Sequence, residues 1–98
     1  MKESQVQAQV VALFKSVGAY VHPTSQYRKS RIPPGLPDLI ILLPRGKGVV
    51  FFEVKALFGK MSEEQLAFMG ACEMAEEPYW CGGVEEARLC LRMAGLLA

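Results

Sequence analysis

The stretch Leu36-Pro37-Asp38-Leu39-Ile40-Ile41-Leu42-Leu43-Pro44-Arg45-Gly46-Lys47-Gly48-Val49-Val50-Phe51-Phe52-Glu53-Val54-Lys55 decides how this chain is read. Leu36 to Leu43 is apolar except for Asp38, and Val49 to Lys55 is rich in β-branched and aromatic residues. Pro44 to Gly48 has the chemistry of a turn, so the two runs are expected to pair as an antiparallel hairpin. The charges are the anomaly. An isolated carboxylate is costly to bury, so charges survive in apolar strands only when paired, metal-bound or at an exposed end. Asp38 begins one strand, while Glu53 and Lys55 end the other. The hairpin therefore gathers all three at its open end, far from the turn.

Side chains alternate along a strand, so Glu53 and Lys55 share a face and Val54 points to the other. Asp38 joins them only if the register is right. A five-residue loop with Leu43 opposite Val49 would set Asp38 against Val54, on the wrong face, whereas a loop of four or six residues, or a bulge, would set it on the same face. With that register, the two carboxylates and the Val54 backbone carbonyl form a hard-oxygen site open to water and phosphate. Such a site suits Mg²⁺ or Mn²⁺, with oxygens at ~2.0–2.2 Å. A cation there polarises a phosphodiester and acidifies a water, and Lys55 stands beside that water. The competing explanation is a buried Asp–Lys or Glu–Lys ion pair at a sheet end. The Pro-Asp pair after a glycine, and the basic segment just before it, weigh against that. No Ser/His/Asp nucleophilic set presents itself, the single histidine, His22, standing next to Pro23.

Working outward, Val6, Val10, Leu13, Phe14 and Val17 have the spacing of an amphipathic helix over Glu3 to Val17, closed by Gly18. Ala19 to Gln26 reads as a first strand, broken or bent at Pro23. Arg28, Lys29 and Arg31 follow in a polar loop that Pro33, Pro34 and Gly35 keep out of helix. They are expected to grip phosphates flanking the hairpin's open end. Ser62-Glu63-Glu64-Gln65 is a capping box opening a helix to about Ala75, with Leu66, Phe68, Met69, Cys72 and Met74 as its apolar positions. Tyr79-Trp80-Cys81 reads as a short strand and Gly82-Gly83 as a turn. Val84 to Met93 reads as a last helix, with Ala87, Leu89, Cys90 and Leu91 inward. The order is α-β-β-β-α-β-α, an α/β mixed sheet with helices packed on it.

Ninety-eight residues make one domain, residues 1–98, and the net charge of +1 says nothing of partners. Its distribution says more. Residues 1–60 carry nine Lys and Arg against Glu3, Asp38 and Glu53, and residues 61–98 carry seven Glu against Arg88 and Arg92. One half is suited to a polyanion. The three cysteines form no CxxC pair and have no nearby histidine, so they read as reduced thiols of a reducing compartment. No apolar run is long enough for a signal peptide or a membrane span, so a soluble intracellular protein is expected.

Taken together, Gly35-Leu36-Pro37-Asp38, Glu53-Val54-Lys55 and Ser62-Glu63-Glu64-Gln65 resemble the G-x-P-D, E-V-K and S-x-x-Q motifs of VRR-NUC domains, of the PD-(D/E)xK nuclease superfamily. The resemblance spans Glu3 to about Arg92. It implies a restriction-endonuclease-like αβββαβ core, with a C-terminal helix beyond it here, and a Mg²⁺- or Mn²⁺-dependent endonuclease. It implies metal ligation by Asp38, Glu53 and the Val54 carbonyl, and by Glu3 directly or through water. Lys55 takes the place of the catalytic lysine, and Gln65 that of a glutamine facing the site. Free-standing bacterial and viral members resemble Holliday-junction resolvases and act as dimers, so branched DNA, a homodimer and a bacterial or viral-host cytoplasm are implied. The apolar stretch Val84 to Leu97 is the expected dimer contact. The alternative is a catalytically weak nucleic-acid-binding module of the same fold.

Overall fold

The computed structural model describes residues 1–24, 34–57 and 59–98 of the chain. The elements are α1 (Glu3–Ser16), β1 (Tyr20–Pro23), β2 (Leu39–Leu43), β3 (Gly48–Val54), α2 (Glu63–Met74), β4 (Tyr79–Gly82) and α3 (Val84–Met93). The strands form one sheet in the order β1-β2-β3-β4. The first three are antiparallel and β4 runs parallel to β3. A parallel neighbour requires a crossover, which α2 supplies. This is the α/β mixed sheet flanked by helices that the element order predicted, with α3 after the last strand.

Alternation along the strands sorts the sheet into two faces. Leu39, Ile41, Leu43, Val50, Phe52 and Val54 are buried on one, with Val6, Val10 and Phe14 of α1 and Ala87, Cys90 and Leu91 of α3. Phe14 meets Phe52 edge to face at 5.7 Å, a geometry that places a positive ring edge on a negative ring face. On the opposite face Phe51 packs against Phe68 of α2 at 5.4 Å, and Tyr79 stands 6.1 Å from the same ring.

The local chemistry explains the boundaries. Helix α1 stops where Gly18 takes a φ of +89° and the Ala19 N–H reaches back to the Phe14 carbonyl at 3.1 Å. Of the expected 19–26, β1 covers Tyr20–Pro23, and Ser25 and Gln26 lie outside the described residues; Pro23 is tolerated because β1 is an edge strand. β2 begins at Leu39 rather than Leu36, because Pro37 offers no N–H to a ladder.

Inward positions needed correction in two helices. Leu89 is exposed, because Ala87, Cys90, Leu91 and Ala94 already form the i, i+3, i+4, i+7 stripe and Leu89 falls outside it. In α2 only Cys72 is buried, and Leu66 and Met74 are exposed. Its apolar residues are spread around the helix among Glu63, Glu64, Gln65 and Glu73, so periodicity could not choose its inner face. The C-terminal residues fold onto their own domain: Leu96 is buried and Ala94 and Leu97 pack against the core, leaving Met93 exposed. Cys72 and Cys90 are buried free thiols and Cys81 is half-buried. Among the described residues no helix is long and apolar enough to cross a membrane.

Candidate active site

The hairpin register settles where the charges meet. Leu43 pairs with Gly48 and Leu39 with Phe52, leaving a four-residue loop from Pro44 to Lys47. One step beyond the last pair, Asp38 falls opposite Glu53, on the face that alternation gives to Lys55. The Asp38 carboxylate accepts from the Val54 N–H at 2.9 Å, so it lies across the end of β3. In an antiparallel pair the N–H and C=O of one residue point toward the same neighbour. The Val54 carbonyl is therefore directed to the side where Asp38 stands.

Two contacts fix Asp38 from behind. The Thr24 hydroxyl donates to the Pro37 carbonyl at 2.7 Å, and the Thr24 N–H donates to the Asp38 carbonyl at 2.8 Å. Thr24 is itself buried. Gly35, at a φ of +95°, lets the preceding turn lie against α2, where a Cβ would stand 2.5 Å from the Glu64 carbonyl oxygen. No side chain fits there.

Glu53 is 2% exposed. Its Oε2 accepts from Gln65 Nε2 at 2.9 Å and lies 3.5 Å from Lys55 Nζ. Its Oε1 is buried and has no hydrogen-bond partner among the described residues. Burial, then the neighbouring Asp38 carboxylate, raise its pKa from the ordinary 4.5 to about 7, against the opposing pull of Lys55. Among the described residues, two adjacent acids share one neighbouring lysine, which leaves the site short of positive charge.

Gln65 performs two tasks at once. Its Oε1 accepts from the Ser62 N–H at 2.8 Å, while the Ser62 hydroxyl accepts from the Gln65 N–H at 3.1 Å, completing the capping box. The other end of the same amide reaches Glu53. The cap thus aims the side chain at the site.

The donor set suits a hard divalent cation. Mg²⁺ commonly takes one or two carboxylates, keeping its other positions for water and phosphate. Asp38, Glu53 with its Oε1 unpartnered among the described residues, and the Val54 carbonyl are the groups that would supply such a set. A third carboxylate does not join it: Glu3 is exposed in the first turn of α1, and among the described residues no group of three His, Cys, Asp or Glu side chains is arranged to hold a metal. Arg28, Lys29 and Arg31 lie outside the described residues. Sequence reasoning missed Thr24, whose only signal is a hydroxyl at a strand end, and the half-buried Cys81, which the parallel register sets beside Glu53.

A family profile described as VRR-NUC domain matches residues 2–88. A solved structure titled "VRR_NUC domain" superposes with a TM-score of 0.75 at 26% sequence identity, covering 92% of this chain and 94% of that one. No curated protein matches the chain.

Proposed function

The chain belongs to the VRR-NUC domain family and has its nuclease-type fold, and from that premise we propose that it is a Mg²⁺- or Mn²⁺-dependent endonuclease that hydrolyses phosphodiester bonds in branched DNA, working as a homodimer. The observation that carries the reading is Glu53: buried, beside Asp38, with one oxygen unpartnered among the described residues and the other held by Gln65 and Lys55. A carboxylate pair in that setting is stabilised by a cation.

Asp38, Glu53 and the Val54 carbonyl would hold the ion. When bound, it supplies the Lewis acidity that polarises a scissile phosphate. Lys55 stands beside the carboxylates with its side chain 14% exposed, placed to orient the attacking water and to balance charge developing on the phosphate. The water oxygen bonds to phosphorus, the bond to the leaving oxygen breaks, and a phosphate monoester and an alcohol result. Gln65 keeps Glu53 in place. Among the described residues nothing in the site is arranged to read base edges, which supports recognition of shape and backbone. A twofold dimer would bring two such sites to opposed strands, and the exposed Leu89 and Met93 of α3 are available for its contact.

The test compares junction, flap and duplex substrates in Mg²⁺ and in Mn²⁺, with light scattering on the same samples. Chelator-sensitive cleavage is expected, with the junction preferred and a dimeric mass. Lys55→Ala should lose cleavage by at least about a hundredfold while DNA affinity is retained. Salt-dependent binding with no cleavage by the wild type would instead make the chain a binding module. A Mn²⁺-soaked crystal with no anomalous peak between Asp38 and Glu53 would remove the metal from this site.

A further inference from the structure

Beneath α2 the sheet carries two buried side-chain atoms that have no hydrogen-bond partner among the described residues: Glu53 Oε1 and the Tyr79 hydroxyl. They share a face. The parallel register sets Phe51 beside Tyr79 and Glu53 beside Cys81, so Tyr79 lies one alternation along β4 from the residue flanking Glu53. Phe68 covers Phe51 and Tyr79 together, and one turn earlier on the same helix Gln65 bonds to Glu53. The phenol is therefore enclosed by the helix that closes over the carboxylate.

The chemistry of the two orphans is complementary. Burial foremost, and then the charge of Glu53 ahead of the other nearby groups, hold the Tyr79 hydroxyl well above the usual phenol range. It is thus a permanent donor. Glu53 Oε1 is a pure acceptor when ionised, with two lone-pair directions, one for a cation and one for a donor. A buried hydroxyl left without an acceptor costs about 1–3 kcal/mol, and a phenylalanine would keep the contact with Phe68 without that cost.

We infer that the Tyr79 hydroxyl donates, through one buried water, to Glu53 Oε1, which makes Tyr79 a positioning residue for the carboxylate. The inference rests on the reading of Glu53 as a cation ligand. A buried water needs two to four polar neighbours; Tyr79, Glu53 and Cys81, which the register sets on the same face, would be those neighbours. Glu53 is then held on one oxygen by Gln65 and Lys55 and on the other by the Tyr79 network, so its plane is fixed before a cation arrives. Groups that orient a metal ligand from behind in this way typically govern tenfold or more of the metal affinity.

The experiment is a calorimetric Mn²⁺ titration of the full chain, alongside thermal unfolding in chelator, for wild type, Tyr79→Phe and Phe68→Leu. Tyr79→Phe is expected to weaken Mn²⁺ binding about tenfold with a smaller fall in its unfolding midpoint than Phe68→Leu gives. Phe68→Leu, which disturbs the ring packing but keeps the hydroxyl, is expected to lower the midpoint and leave Mn²⁺ affinity as in the wild type. Tyr79→Phe affinity within about twofold of wild type would overturn the role, and so would equal weakening in both variants, since packing alone would then account for it. Wild-type protein that takes up no Mn²⁺ would overturn the assignment of Glu53 itself, a result distinct from either.

Discussion

Glu53 stands where a carboxylate is expensive, and the expense has a measurable sign. Its pKa in the folded chain is raised from 4.5 to about 7 by burial and then by Asp38, so between these values the folded state holds a proton that the unfolded state releases. For metal-free protein the resulting stability is full below about pH 4.5 and is lost as pH rises through about 7, a swing of up to about 3 kcal/mol. Urea denaturation in chelator across pH 4.5–8 should trace that decline. Glu53→Gln, which stays neutral, should flatten it. A wild-type curve already flat across that window would mean that Glu53 is not held as the geometry indicates. The same protonation opposes a cation, so Mn²⁺ uptake near neutral pH should release protons in the wild type.

At the scale of the element, the start of α2 links helix stability to the site. Ser62 caps the helix, Gln65 caps in return and bonds to Glu53, and Gly35 lets the loop leading to Asp38 rest against Glu64. Two substitutions separate these contributions. Ser62→Ala removes a cap and should cost about 1 kcal/mol with cleavage largely retained. Gly35→Ala meets a backbone oxygen at 2.5 Å and also needs a φ of +95°. It should cost more than about 2 kcal/mol and disturb cleavage, because the loop carries Asp38. Urea midpoints for the pair provide the check. Equal losses would mean that the close approach of loop and helix carries no special weight.

The charge of the whole molecule is polarised along the chain, with nine Lys and Arg against three acids in residues 1–60 and the reverse beyond. Arg28, Lys29 and Arg31 precede Asp38 by seven to ten residues and are proposed to bind phosphates on either side of the scissile bond. Neutralising all three should weaken DNA binding uniformly across sequences. It should also reduce the slope of log affinity against log salt by about 2–3, since each phosphate contact contributes about 0.9 on duplex DNA. Filter binding at several salt concentrations measures that slope. An unchanged value would return these residues to the role of a solvated loop.

Element order, the hairpin, the capping box and the gathering of Asp38, Glu53 and Lys55 at one end were legible in the sequence, because each depends on local chemistry: alternation, turn residues, a hydroxyl three places before an amide. What sequence left open were the questions that local chemistry does not constrain. Whether Asp38 faced Glu53 or Val54 turned on one residue of loop length, and the four-residue turn decided it. Which side of α2 faced inward had no periodic signal, because its polar and apolar residues are mixed around the helix. Gln65 had two separate explanations until packing showed one amide serving both. Thr24, Gly35 and Tyr79 bear on the site only because the fold brings a strand end, a turn and an edge strand against it. Their partners lie far away in sequence, and a contact of that kind exists only after the chain has closed.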